Sequence, residues 1–412
     1  MNDELGSASE NLELSILMPC LDEAATLAPC IKEALLFLER HSVRGEVVVA
    51  DNGSADQSLE IAAQESARVV QVEASGYGAT VAAGVVACRG KFVLVGDSDG
   101  SYDFSEAGRF LDKLRVGNDL VIGNRFKGGI EVGAMPFLQR EIAQPFISWI
   151  ARRFFNSGIG DCYCGLRGFR RDAIQKLQLR TREMEYPLEM IVKAVMFGLK
   201  ICEVPATYSI DGREDAPRLK SFSDYWRSLR FFLLFSPRWL FWYPSLALTL
   251  LGLVGGLVHA LPVYFGSEGA VLSPNKVIYA ITALTIGLQG VAFSVFSKIL
   301  AIRSGLHPRR KRVEEKFSRF RLEVGLVWGL ALIAIAVETF FVGGKVAPNE
   351  VVEVGVGLGA AAISSLLLAV GAQLVFTSFF VGLLQIEFTD TAAVGDAARE
   401  LTEQSASEIC LT

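Results

Sequence analysis

Hydrophobic positions follow two different patterns along this chain. In the first, short apolar runs at 14–18, 46–50, 68–73, 92–95 and 119–123 are separated by longer segments of helical periodicity. Continuous apolar runs of that length suit strands buried on both faces of a parallel sheet. Helices are expected over 25–40 and in the segments that end at Ala67 and Cys88. Strand alternating with helix predicts an α/β domain with a largely parallel sheet. In the second pattern, four apolar blocks run over 240–263, 277–301, 322–342 and 354–386. Each reaches the roughly 20 residues that cross a bilayer as a helix. The expected result is an α/β domain joined to an α-helical transmembrane domain of four spans.

Glu338 and Gln373 interrupt the last two blocks, which predicts that those helices pack on each other. Between the two patterns, Phe222, Tyr225, Trp226, Leu229, Phe232 and Leu233 recur at helical spacing, with Arg227 and Arg230 opposite. That pattern predicts an amphipathic interfacial helix, which would hold the preceding domain at the membrane surface. Core packing is the other origin of such a stripe. Trp239, Trp242 and Tyr243 suit the headgroup belt. The expected divisions are a disordered start (1–13), the α/β domain (14–220), a juxtamembrane segment (221–239), the transmembrane domain (240–388) and an acidic tail (389–412).

Composition adds two points. The 412 residues are 51% hydrophobic, and the net charge of −5 averages over unlike parts, so it names no partner. The seven cysteines lack zinc spacing and are read as free thiols of a reducing compartment. The distribution of charge says more. Segment 303–321, between the second and third spans, carries eight Lys/Arg, whereas the loops at 264–276 and 343–353 carry one Lys each. The positive-inside rule puts the basic loop, the N-terminal domain and the C-terminus in the cytoplasm. A short basic run between two spans is read as meeting anionic lipid rather than nucleic acid. The expectation is a multi-pass protein of a prokaryotic inner membrane.

The stretch at 91–104, KFVLVGDSDGSYDF, carries the chemistry. A buried strand ends at Gly96, followed by Asp97 and Asp99 one residue apart. In open α/β sheets ligands bind beyond the carboxyl ends of strands, where these acids fall. In an extended Asp-x-Asp both carboxylates reach the same side and can share Mg²⁺ or Mn²⁺, whose coordination phosphates and water complete. A solvated acidic turn is the plain alternative. After the second strand, Asp51 and Asn52 offer hydrogen-bond groups suited to a base or ribose. The turn Ser75-Gly76-Tyr77-Gly78-Ala79 is neither a Walker loop nor a dinucleotide fingerprint.

Nine segments together resemble glycosyltransferase family 2, in its polyprenyl- or dolichyl-phosphate hexosyltransferase branch. They are ILMPCLDE (16–23), VVVADNGSADQS (47–58), GYGATVAAG (76–84), VLVGDSDGSYDF (93–104), VIGNRF (121–126), GDCYCGLRGFRR (160–171), EMEYPLEM (183–190), CEVPATY (202–208) and LRFFLLFSPRWL (229–240). The resemblance covers 14–240 and implies a GT-A nucleotide-sugar fold. It also implies roles. Pro19, Leu21 and Glu23 resemble the turn lining the base and ribose, and Asp51 the acid that accepts from the base. Asp97 resembles the residue near ribose and metal, and Asp99 the main metal ligand. Ser101 stands where phospho-mannosyl relatives often have a Gln ligand. Arg125, Arg140 and Arg167 resemble the residues that grip the diphosphate and the acceptor phosphate. Glu189 resembles the acid near the sugar, with Glu185 competing for that place.

The charged loop after Tyr208 offers Arg213, Arg218 and Lys220 to close over phosphates, or is a solvated linker. The reaction implied is inverting transfer of a hexose from a nucleotide sugar to a polyprenyl phosphate. UDP-glucose is favoured as donor over GDP-mannose. Relatives often form homo-oligomers. Three other functions remain open. A processive synthase lacks support because Phe235 stands where its Gln-x-x-Arg-Trp signature needs Gln. A glycolipid-hydroxyl transferase would need a general base such as Asp161 or Glu189. A flippase-like module or scaffold would use the four spans alone.

Overall fold

The computed structural model describes residues 12–212, 222–264, 274–308, 322–343 and 351–385. The contacts divide the chain into two units, one running to Ser236 and including Leu306–Pro308, the other beginning at Pro237.

The first unit is built on a seven-stranded mixed sheet of order β3-β2-β1-β4-β6-β5-β7. Its strands are β1 (Leu14–Cys20), β2 (Gly45–Asp51), β3 (Arg68–Gln71), β4 (Phe92–Val95), β5 (Leu120–Asn124), β6 (Arg167–Arg170) and β7 (Ile201–Pro205). All seven residues of β1 are buried. It pairs in parallel with β2 on one side and β4 on the other, in the interior of the sheet. Full burial of each Val, Leu, Ile or Phe side chain there contributes roughly 1.5–3 kcal/mol. Helices Leu27–Arg40, Ser58–Gln64, Tyr77–Ala87 and Ala107–Arg115 connect the strands.

The first five strands lie where the hydrophobic pattern puts them. β6 and β7 do not stand out in that pattern. β6 runs antiparallel between β4 and β5, so the sheet is GT-A-like and mixed. The segment Arg167-Gly168-Phe169-Arg170 has little strand character of its own; its neighbours impose the conformation. At the N-terminus, Glu13 is tied to Arg44 by a backbone hydrogen bond and to Arg115 by an ion pair of 2.8 Å. Order therefore begins before the expected boundary at residue 14.

Helix Phe222–Phe235 buries Ser228, Phe231 and Phe232. Phe232 meets Phe155 with ring centroids 5.7 Å apart, and Arg227 lies 3.5 Å from Glu185. Trp226 and Leu234 are exposed. Core packing thus accounts for much of the apolar stripe that reads in the sequence as an interfacial face.

In the second unit, four helices among the described residues are long and apolar enough to cross a membrane. They are Tyr243–Tyr264, Pro274–Arg303, Leu322–Gly343 and Val351–Gln385. The last two pack closely at Gly329 and Gly371. A Cβ on either would lie under 3 Å from the other's carbonyl oxygen. Small residues at helix crossings permit this approach. The helices pack together as expected, but by small residues, because Glu338 lies on the exposed side. The described cysteines Cys20, Cys30, Cys88, Cys162, Cys164 and Cys202 are free thiols. Loop 213–220 with Arg213, Arg218 and Lys220, most of the basic segment 303–321, and the tail 389–412 lie outside the described residues.

Candidate active site

The strand order reverses beside β1, whose neighbours β2 and β4 run parallel to it. Ligands bind at the carboxyl edge of such a switch point. Asp51 ends β2, and Asp97 and Asp99 follow β4 at that same edge. Asp99 is 8% exposed and accepts from the backbone N–H of Ser101 at 3.0 Å. Asp97 is half-buried and accepts from the Tyr77 hydroxyl at 3.1 Å. Ser98 Oγ donates to the Pro19 carbonyl at 2.8 Å, which fastens the acidic turn to the end of β1. The segment leading to the charged loop is fastened here as well. Ser209 N–H donates to the Ser101 carbonyl and Gly212 N–H to the Asp99 carbonyl, each at 3.0 Å.

This donor set suits a hard divalent cation. It offers two carboxylates at the sheet edge, and no cluster of three His, Cys, Asp or Glu occurs among the described residues. Mg²⁺ commonly takes one or two protein carboxylates and leaves its other positions to phosphate and water. The Ser101 hydroxyl is buried and makes no hydrogen bond of good geometry, although the Tyr208 phenol faces it. Burial, and then the Asp97 charge, raise the Tyr77 phenol well above its ordinary pKa, so it remains a donor.

The other expected site residues are placed as follows. Pro19 is buried in β1, Leu21 is 44% exposed, and Glu23 is buried just before helix Leu27–Arg40. Asp51 is buried and caps its own turn, accepting from Gly53 N–H and Ser54 N–H at 3.0 and 3.1 Å. Asn52 is committed to the next loop. Its Nδ2 donates to the Ala74 carbonyl at 2.8 Å, and its Oδ1 accepts from Gly76 N–H at 3.0 Å. That bridging position differs from the nucleotide contact expected of it.

Three of the expected catalytic residues are occupied inside the fold. Arg125 is 3% exposed and donates to both oxygens of Asp161 at 2.7 and 2.8 Å, and to Gln144 at 2.7 Å. Burial alone would raise the Asp161 carboxyl, but the guanidinium overcomes it and holds the group below its usual range. Arg167, also 3% exposed, donates to the carbonyls of Cys164, Cys162 and Pro187 at 2.8, 2.7 and 2.5 Å. Both guanidinium groups brace the fold where a phosphate grip was expected, because polar partners surround them and solvent does not reach them.

Glu189 is fully buried and lies 2.8 Å from the ammonium of Lys193, a charge contact out of line for a hydrogen bond. Its Oε2 accepts from the backbone N–H groups of Arg180 and Thr181 at 2.9 and 2.8 Å. Burial opposes ionisation, yet Lys193 and these N–H donors hold its pKa low. Glu189 therefore anchors a loop and is not exposed toward a sugar. Glu185 pairs with Arg227. Arg140 is exposed and pairs with its neighbour Glu141, at 3.1 Å. Trp149 is exposed and stacks on Phe146.

Comparison with known proteins identifies the family. Residues 15–178 match glycosyl transferase family 2, and residues 295–385 match the glycosyltransferase family 2 C-terminal transmembrane region. A low-salt glycan biosynthesis hexosyltransferase, Agl6, of Haloferax volcanii is 32% identical over 379 residues, spanning 90% of this chain and 89% of the relative. A dolichyl-phosphate hexose transferase of the same organism is 34% identical over 165 residues, 40% of this chain and 70% of its own length. A human dolichyl-phosphate beta-glucosyltransferase is 28% identical over 239 residues, 51% of this chain and 71% of its own. The chain belongs to glycosyltransferase family 2. It is an integral membrane hexosyltransferase with a GT-A-like catalytic unit.

Proposed function

We propose that this enzyme transfers a hexose from a nucleotide sugar to a polyprenyl phosphate, with inversion at the anomeric carbon. The product would be a β-linked lipid-phosphate sugar for glycan assembly. UDP-glucose is the favoured donor, in keeping with the relative named for beta-glucosyl transfer to dolichyl phosphate. The catalytic unit faces the cytoplasm by the positive-inside rule.

The observation that carries this reading is the contrast between two pairs of acids. Asp97 and Asp99 stand at the sheet edge, whereas Asp161 and Glu189 are buried in ion pairs. A hydroxyl acceptor needs a base within hydrogen-bond reach of its proton. The two acids named for that task are held ionised inside the fold. A phosphate monoester needs no such help, since its second pKa of about 6 leaves it mostly dianionic near neutrality.

Catalysis then rests on positioning and charge. Asp97 and Asp99, with Ser101 beside them, would hold Mg²⁺ or Mn²⁺. Such an ion neutralises a departing nucleoside diphosphate as a Lewis acid. Asp51 and the turn Pro19–Glu23 would line the base and ribose. Arg140 is free to serve the acceptor phosphate, because an exposed ion pair such as the one with Glu141 is worth only about 0–1 kcal/mol. Arg213, Arg218 and Lys220, which follow Gly212 in the sequence, would serve the phosphates.

A donor panel tests the proposal. Purified enzyme with undecaprenyl phosphate and Mn²⁺ is given labelled UDP-glucose, UDP-galactose, UDP-N-acetylglucosamine or GDP-mannose. Label in the lipid phase from one hexose donor, β by NMR of the anomeric proton, is the expected result. An α-linked product would overturn the inverting mechanism, and no lipid product from any donor would overturn the acceptor.

A further inference from the structure

The Gly76-Tyr77-Gly78 turn and the turn carrying Gly165 are not used by the mechanism above, yet both meet Asp97. Tyr77 donates its hydroxyl to Asp97 Oδ1 at 3.1 Å. On the other side, a Cβ built at Gly165 would lie 2.5 Å from Asp97 Oδ2, so only glycine lets the backbone approach there. We propose that these two turns form a clamp that fixes the Asp97 carboxylate for a divalent cation, with the Tyr77 hydroxyl as its positioning donor. This inference rests on the metal role of Asp97 and Asp99 given above.

Each jaw is itself held. Gly76 sits at φ +118° and donates to Asn52 Oδ1 at 3.0 Å. It has no room for a Cβ, which would run into the Arg182 carbonyl. Ala79 N–H donates to that same Arg182 carbonyl at 3.0 Å. The loop bearing Arg182 is anchored through the Arg180 and Thr181 N–H groups to Glu189, and Lys193 Nζ donates to the Gln178 carbonyl at 2.8 Å. The second jaw is held by Arg167, which spans the Cys162 and Cys164 carbonyls and reaches Pro187. Gly165 N–H adds a hydrogen bond to Tyr102 Oη at 2.7 Å. Asn52, Arg167 and Glu189 thus act on the site through Asp97.

A phenol suits the task. It orients the carboxylate through a neutral hydrogen bond that does not itself cancel the negative charge. A lysine or arginine in that place would neutralise the acid and compete with the metal. Each carboxylate oxygen has two lone-pair directions, so the hydrogen bond from Tyr77 takes up only one of the two on Oδ1.

Removing the partner that orients a metal ligand commonly costs about 10–100-fold in metal affinity. The test is a Mn²⁺ titration of the full-length, detergent-solubilised protein, with free Mn²⁺ read by electron paramagnetic resonance. Saturating UDP and, in parallel, GDP would be present, and no turnover is needed. Tyr77→Phe, which removes only the hydroxyl, should weaken Mn²⁺ binding by about tenfold with an unchanged melting temperature. Gly165→Ala should weaken it from the other side, and keeps the clamp testable if Tyr77→Phe folds poorly. Asp99→Ala sets the scale for loss of the site. Wild-type Mn²⁺ affinity in folded Tyr77→Phe, with affinity lost in Asp99→Ala, would overturn the clamp and leave the metal site standing. Wild-type affinity in Asp99→Ala as well would overturn both.

Discussion

Arg125 and Asp161 form a bidentate ion pair with side-chain exposures of 3% and 0%. Arg125 directly follows β5, and Asp161 lies in the segment before β6. The Arg125 guanidinium also lies 5.1 Å from the centre of the Tyr208 ring. Buried pairs of this kind are costly to break, because the remaining charge has neither water nor a partner.

Asp161→Asn should therefore lower stability by about 3–5 kcal/mol. Replacing both residues by apolar side chains should cost much less. The pH dependence follows from the depressed Asp161 pKa: the stabilisation is full above the unfolded value of about 3.9 and is lost as pH falls through the folded value. Chemical denaturation of the single and double variants at neutral and acid pH measures both effects.

Glu189→Gln separates an anchoring acid from a chemical one. The structure predicts lower stability, with Lys193 left buried without its counter-charge, and a pH–rate profile of unchanged shape. A glutamate acting as base would lose one limb of that profile on substitution. Initial rates across pH, beside a thermal melt, distinguish the two.

Glu33 gives the opposite pH signature to Asp161. Burial, and then the hydrogen bond with Asp103, raise its carboxyl to about 7. The folded protein therefore keeps a proton that the unfolded chain releases at about pH 4.3. The favourable contribution is complete below that value and disappears as pH rises through about 7. Glu33→Gln should flatten this dependence and raise the melting temperature at pH 8 relative to wild type. Thermal melts at pH 5 and pH 8 check it.

The strand pattern, the four apolar blocks and the Asp97/Asp99 pair could all be read from sequence, because each depends on spacing within a short stretch. Occupancy of the charged residues could not. Arg167 meets its carbonyl partners only after the 162–166 turn folds back and Pro187 arrives from further along the chain. Asn52, just after β2, reaches Gly76, which lies beyond β3. Residue type marks such groups as polar, and only tertiary structure shows whether a ligand or the protein itself satisfies them. β6 was hidden for a related reason, since a four-residue strand with an arginine at each end becomes a strand through the partners on both sides. One signal of the clamp was present in the sequence. Gly76 and Gly78 flank Tyr77, and Gly165 and Gly168 stand on either side of Arg167, which marks both turns as places of close backbone approach.

Asp99→Ala should abolish metal-dependent nucleotide binding at a modest cost in stability, because the carboxylate lies at the sheet edge and its loss removes the acceptor for Ser101 N–H. Calorimetric titration of UDP with and without Mn²⁺ measures this. Equal metal dependence in the variant and wild type would remove Asp99 from the metal site.

The most direct measurement of the central claim compares undecaprenyl phosphate with undecaprenol as acceptors, using the donor that the panel selects. The two lipids differ only in the phosphate, so the comparison isolates the acceptor group. Metal-dependent transfer of label to the phosphate, with none to the alcohol, is the predicted result. Transfer to the alcohol at a similar rate would contradict the account, because that reaction needs a free base and Asp161 and Glu189 are both held in buried ion pairs.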